Sequence, residues 1–204
     1  MNLDYKVPLN WFDLAALVVL LLGVLRGRKR GMSQELVDLV QWAVIICGGT
    51  FLYQPVGQMF AQLTSSSLLY SYVSAYLGIA VIIKLFFLAI KHSVGGKLVG
   101  SDVFRGGEYY LGMAAGMMRF ACALLLTLAV LNARYFSPEE IAADEKFQKD
   151  VYGSTFFPGV SELQKEIFRQ SLSGSFVKNH LEFILITPTA PRKDGFKQKE
   201  FTPP

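Results

Sequence analysis

Residues 109–131 read YYLGMAAGMMRFACALLLTLAVL, 23 residues with one formal charge, at Arg119. At 1.5 Å per residue a helix of that length runs about 34 Å, against about 30 Å for the hydrocarbon core of a bilayer. A run this long and this apolar predicts a membrane-spanning helix. Tyr109 and Tyr110 stand at its start, where aromatic rings anchor a span in the headgroup layer.

Three more apolar runs precede it. Residues 68–90 are apolar apart from Lys84, and 34–53 are largely apolar from Leu36 onward, with Asp38 as the one charge. The first run, WFDLAALVVLLLGVL at 11–25, covers only about 22 Å. Either Arg26 and Arg28 extend it to about residue 28 by lifting their charged ends toward the headgroups, or it is a short helix that thins the bilayer locally. The expected spans are therefore about 11–28, 34–53, 68–90 and 109–131. A cleaved signal peptide is the rival for the first run and fits poorly. Asp13 sits inside the run, and RGRKRG follows where small cleavage-site residues belong. The run is read as an uncleaved span.

The whole chain supports this class. It has 204 residues, 52% hydrophobic and 18% charged, with mean hydropathy +0.36. Residues 1–136 carry 11 Lys+Arg against 6 Asp+Glu, and residues 137–204 carry 9 against 10. The apolar excess thus sits in the first part. A disordered chain and a disulfide-stapled secreted domain are excluded, the latter because Cys47 and Cys122 are too few and lie inside apolar runs. The basic residues cluster in short loops beside those runs, which argues for membrane orientation and against nucleic acid as a partner.

Orientation follows from those loops. Arg26, Arg28, Lys29 and Arg30 crowd the first connection, Gln54 to Ser67 has no charge, and the third connection holds Lys91, Lys97 and Arg105. The positive-inside rule places the first and third connections in the cytoplasm and both termini outside it.

Beyond Arg134 the composition changes. Ser137-Pro138-Glu139-Glu140 reads as a helix start, with Ser137 as N-cap, Pro138 at the first helical position and Glu140 closing a capping box. Ile141, Phe147 and Val151 follow at helical spacing. From 160 to 186 the positions Val160, Leu163, Ile167, Leu172, Phe176, Leu181 and Ile184 form an apolar stripe, with Gly174 as the expected break. The expected layout is a transmembrane domain at 1–136, an extracytoplasmic amphipathic helical tail at 137–190, and a Pro- and Lys-rich disordered end at 191–204. The tail has two readings. It packs on the helix ends or headgroups, or it docks a secretion or envelope partner as a helix in a groove.

Ionisable groups inside spans are where function would show, because lipid makes them costly. Asp13, Glu35, Asp38, Lys84 and Arg119 are the candidates for an intramembrane polar network. Depth arithmetic sets Asp38 beside Lys84 and gives Arg119 an acidic partner in Asp38 or Glu35. Such a network fixes helix register or forms a path for a solute, ion or proton, or else its members simply snorkel to the headgroups. Gly112 and Gly116 in GMAAG make a small face for close helix packing, within the chain or between copies. The sequence holds no GxxxxGK[ST], HExxH, CxxC or GxSxG, and His92 and His180 flank no acidic or Cys cluster. No catalytic constellation, metal site or cofactor is therefore expected, and the chain is read as non-enzymatic.

The segment from Trp11 to Trp42 resembles the colicin V production protein family. The residues that carry the likeness are Asp13 after Trp11-Phe12, the turn Arg30-Gly31, Glu35 five residues after that Arg, and Trp42 seven after the Glu. LGMAAGMMR, Leu111 to Arg119, is similar to the family's glycine-rich start of the last span. The family's Asp-Arg pair before that block is replaced here by Glu108 and Tyr109. The likeness covers about residues 10–136. It implies an all-α integral inner-membrane protein of four helices, linked to bacteriocin production or export and to envelope homeostasis, with no defined enzymatic reaction. The expected role is accessory or scaffold. The alternative is a small transporter or channel subunit with a buried polar path.

Overall fold

The computed structural model describes residues 10–98, 107–142, 146, 150 and 159–189, with the side chains of 94–98 left aside. Phe147, Val151, Arg105 and the end at 191–204 lie outside the described residues, as does the side chain of Lys97.

Asn10 opens the first helix. Its N–H donates to Asp13 Oδ2 at 3.1 Å and its side chain accepts from Trp11 N–H at 2.7 Å, so N–H groups that a helix start leaves orphaned find partners. The helix, α1, runs Trp11–Arg30. The basic residues expected in a loop therefore form its last turn, where cations complement the helix dipole. Gly31 alone joins α1 to α2 (Met32–Thr64), at φ 75°, a conformation that glycine adopts without a Cβ penalty. One residue is too few to lay α2 back along α1. The two diverge, and α4 (Glu108–Asn132) lies between them and packs on both. The helix α3 (Leu68–Leu98) returns along the other side of α2. The four long helices thus lie in the order α1, α4, α2, α3.

The helix α2 is 33 residues long, about 50 Å. It runs through Gln54 and Pro55 to Thr64, so the connection expected from Gln54 to Ser67 shrinks to residues 65–67. Pro55 removes one backbone bond, which a membrane helix tolerates where neighbours re-satisfy the freed carbonyl. No charge interrupts the sequence from 39 to 83, so nothing there compels a turn.

Every regular element among the described residues is helical, and the one extended pairing is a single bridge between Arg134 and Thr189. The helices α2, α3 and α4 are each long and apolar enough to cross a bilayer, with mean hydropathies of 1.6, 2.4 and 2.0. Of the four expected spans, α1 is the one not in that set. Asp13 and the basic residues from Arg26 onward put too many charges in its length. Its outer side is nonetheless apolar, with Leu14, Leu17, Leu21 and Leu25 all more than half exposed. Ile82, Leu85, Phe86 and Leu88 do the same on α3. Contiguous apolar surface on this scale is foreign to a monomer in water.

Ser137 and Glu140 close the expected capping box, with Glu140 N–H donating to Ser137 Oγ at 3.2 Å and Ser137 N–H to Glu140 Oε2 at 3.4 Å. Further on, α5 (Val160–Lys165) continues into a π-helical turn at Glu166–Gln170, and α6 (Leu172–His180) is followed by a 3-10 turn at Glu182–Ile184. The break falls at Ser171, not at Gly174. Ser171 is extended and its Oγ accepts from Gly174 N–H at 2.9 Å. Gly174 lies inside α6, where a Cβ would strike the Ile167 carbonyl. These segments fold onto the end of α4, the Tyr53 region of α2 and the starts of α1 and α3. Ile167, Phe168, Leu185 and Ile186 share one core with Tyr53, Leu69, Tyr72, Tyr76, Leu128 and Ala129. Asn132 Nδ2 donates to the Ile186 carbonyl at 2.9 Å, and Gln164 Nε2 to the Leu131 and Arg134 carbonyls at 3.1 and 3.0 Å. The buried apolar set therefore differs from the expected stripe. Val160, Leu172 and Phe176 face outward.

Candidate functional site

Glu35, Asp38 and Gln41 recur every three residues and so share one face of α2. That face meets α4 and α3. Arg119 of α4 reaches Asp38 Oδ2 at 2.8 Å and Glu35 Oε2 at 3.1 Å through Nη1. Arg30, at the end of α1, lies 3.0 Å from Asp38 Oδ2 and 3.7 Å from Glu35 Oε1. Lys91 of α3 pairs with Asp38 and donates to Gln41 Oε1 at 2.8 Å. One ionic cluster thus draws on all four long helices. Glu35 is fully buried, and its charge is met by two guanidinium groups. Removing a partner from such a pair leaves an uncompensated ion, a loss of about 3–5 kcal/mol.

The structure brings Glu35, Asp38 and Arg119 together and leaves two of the five expected members elsewhere. Lys84 has no acidic partner among the described residues. Lys91, two turns further along α3, takes the position beside Asp38 that depth arithmetic gave to Lys84. Asp13 lies some 26 Å along α1 from Arg30, at the opposite end. There it accepts from Leu172 N–H at 3.0 Å, Ser173 N–H at 2.8 Å and Ser173 Oγ at 2.6 Å. An acid in the first turn of α1 therefore caps α6, where the helix dipole favours a negative charge. Trp11 Nε1 adds a bond to Glu166 Oε2 at 2.8 Å.

Gly112 and Gly116 pack within the chain. They face Gly23 and Gly27 of α1 and Gly31 at its end, so backbone meets backbone. A Cβ on Gly23 would lie 2.7 Å from the Gly116 carbonyl oxygen, and one on Gly112 would lie 2.6 Å from that of Gly27. Cβ atoms on Gly27 and Gly116 would strike Gly112 and Gly23 carbonyl oxygens in turn. Four glycines at four-residue spacing on two helices, with Gly31 just past the end of α1, form one seam, the small-xxx-small contact of membrane helices. Glu108 closes its end, accepting from Ser33 N–H at 2.8 Å and capping the start of α2.

Sequence reasoning missed Lys91, Gln41 and Glu108 as members of these contacts, and Gly23, Gly27 and Gly31 as the partners of GMAAG. The glycine spacing was there to be read in GVLRGRKRG. Its arginines and lysine gave that stretch the appearance of a loop. Arg26, Arg28, Lys29 and Arg30, read as topology determinants, lie on one helical segment, and Arg30 also enters the ionic cluster.

The model of the colicin V production protein family matches residues 12–165. This chain belongs to that family. The matched segment spans three quarters of the sequence and contains the glycine seam, the ionic cluster and Asp13. Membership points to a role in colicin V production in a membrane protein. No curated protein and no solved structure matches the chain.

Proposed function

We propose that this member of the colicin V production family is a non-enzymatic inner-membrane protein with an accessory or scaffold role in toxin production and secretion and in envelope homeostasis. Four helices cross the bilayer. The Arg26–Arg30 turn is cytoplasmic, and both termini and α5–α6 are extracytoplasmic, as the basic, neutral, basic order of connections requires. Crossing by α1 is supported by its apolar outer side and by its seam with α4, which has ample length to span. Asp13 then lies at the outer interface, with its charge spent on the cap of α6.

The observation that carries the scaffold reading is the ionic cluster. Glu35, Asp38 and Arg119 are each tied to opposite charges, on helices packed closely enough for glycine backbones to touch. Groups held this way fix register and leave no mobile site for a passing ion. A transporter or channel subunit would need at least one of them free to exchange partners. The outward side chains Leu172, Phe176 and Phe183 offer the partner-contact face, since the apolar residues behind them are already used in the core.

Two measurements separate the readings. Phe176→Ser with Phe183→Ser, expressed from the chromosome, is expected to lower toxin export while the protein level stays constant. Unchanged export removes partner contact through this face. Arg119→Gln is expected to lower abundance and melting temperature. Solute or ion flux by the wild-type chain in liposomes, abolished by Arg119→Gln at equal abundance, would establish the transporter instead.

A further inference from the structure

A groove of about 620 Å³ runs over α2, with α3 on one side and α1 and α4 on the other. Its two ends differ in chemistry. Toward the cytoplasmic end it is lined by Arg26, Arg30, Lys84, Lys91 and Arg119. Toward the bilayer interior it is lined by Ile45, Leu77, Ala80, Val81 and Leu126. On α3 the residues Leu77, Lys84 and Lys91 recur every seven positions, so one helix face carries the change from apolar to basic over about 21 Å. Leu77 and Val81 are 41% and 55% exposed, so the groove opens sideways, where lipid lies.

The charges in the groove do not balance. Five cations face two carboxylates, Glu35 and Asp38, and both carboxylates are already shared among Arg30, Lys91 and Arg119. Arg26 acts on Glu35 only at longer range and, like Lys84, makes no close ion pair with an acid among the described residues. Surplus positive charge at the cytoplasmic edge of a membrane draws anionic headgroups, and basic pockets between spans on that side take acidic phospholipids. We infer that this groove is a binding site for one anionic phospholipid, its phosphodiester held by Arg26 and Lys84 and one acyl chain lying along Leu77, Ala80 and Val81. The site rests on the membrane reading and is independent of any role in toxin export. A lipid seated there bridges α3 to α1, two helices that share few contacts among the described residues.

The test uses the full chain in a neutral maltoside detergent, with melting temperature and native mass spectrometry as readouts. Dioleoylphosphatidylglycerol is expected to raise the melting temperature and to give a one-lipid adduct. Dioleoylphosphatidylcholine and inorganic phosphate at the same concentration are expected to do neither. Arg26→Gln with Lys84→Gln should weaken phosphatidylglycerol binding at least tenfold, and both side chains are exposed, so the fold survives the change. Ala80→Trp keeps every cation and fills the apolar half, and it should weaken binding as well. Equal binding of phosphatidylcholine, an equal shift from inorganic phosphate, or adducts unaffected by both variants would overturn the proposal. Because the readout is lipid binding by purified protein, its failure leaves the scaffold reading standing, and the reverse holds too.

Discussion

Two helix seams of this protein are built from the same residue on opposite plans. Between α1 and α4, glycine faces glycine, and carbonyl groups occupy the space a Cβ would need. Between α2 and α3, glycine faces tyrosine. A Cβ on Gly49 would meet the Tyr76 ring at 2.6 Å, and one on Gly57 the Tyr72 ring at 2.5 Å. The Tyr53 and Tyr72 rings meet edge to face at 5.5 Å between centroids. The first seam is backbone against backbone at Gly27, Gly112 and Gly116, with the Phe120 side chain beside Gly23, so little in it can yield. The second has a side chain on one side, which can turn aside at a cost. In lipid, where burying apolar surface between helices gains little, that difference in packing decides which contact is brittle.

The largest expected effect tests the brittle seam directly. Gly116→Leu places a branched side chain against Gly23 and Gly27 backbone, with no rotamer that escapes. Overpacking costs about 1–3 kcal/mol where neighbours can shift and more where they are backbone. The expected outcome is loss of the monodisperse protein in detergent. A melting curve like that of the wild type would mean that the seam is absent in solution. Next in size is Arg119→Leu, which leaves Glu35 buried with Arg30 alone at 3.7 Å. The loss is expected to be about 3 kcal/mol, and Arg119→Leu with Glu35→Leu should recover most of it, because the uncompensated ion is gone. The double variant measures whether the ionic end or the glycines hold α4 in place.

How much of this was legible follows the same physics. Arg119 demanded an acid because an unpaired cation at that depth is expensive, so its pairing with Glu35 and Asp38 could be read from the chain. GMAAG could be read as a close contact for the same kind of reason, since glycine is otherwise a poor choice in a helix. The partner of GMAAG was hidden because Gly27 and Gly31 are interleaved with Arg28, Lys29 and Arg30, and charge masks helical spacing. Lys91 was hidden because the third apolar run ends at Ile90 while the helix continues, so run length misjudged helix length. The fold of residues 160–189 was the least legible part. Its buried set depends on the end of α4, on Tyr53 of α2 and on the start of α3, and Asp13, which caps it, lies some 160 positions away in sequence.

That cap gives the third prediction. Asp13→Ala leaves Leu172 and Ser173 N–H without their acceptor while Ser171 still serves Gly174. A lost cap costs about 1–2 kcal/mol. The effect should be confined to 159–189 and the first turn of α1, where Asn10 N–H also loses its acceptor, with faster amide exchange there and little change at the glycine seam. Exchange that rises equally in α1 and α4 would mean that α6 is part of one cooperative unit with the bundle, a tighter coupling than the contacts alone require.

The smallest effect belongs to the yielding seam. Gly57→Ala adds one methyl group against the Tyr72 ring and, at 3.2 Å, the Tyr72 Cα. The ring can swing, at the expense of its edge-to-face contact with Tyr53 and the 3.5 Å bond from Gln58 Nε2 to its hydroxyl. Alanine also favours the helix over glycine by up to about 1 kcal/mol, so the two terms oppose each other. The expected net change is a loss of no more than about 1 kcal/mol, read as a shift of a few degrees in melting temperature. Gly27→Ala gains the same helix propensity, yet its methyl strikes the Gly112 carbonyl, which cannot move without moving α4. The pair of alanine variants is therefore the cleanest comparison of the seams. Equal losses at positions 57 and 27 would show that helix–helix spacing is set by the ionic cluster and the folded-on tail, with the glycines merely filling it.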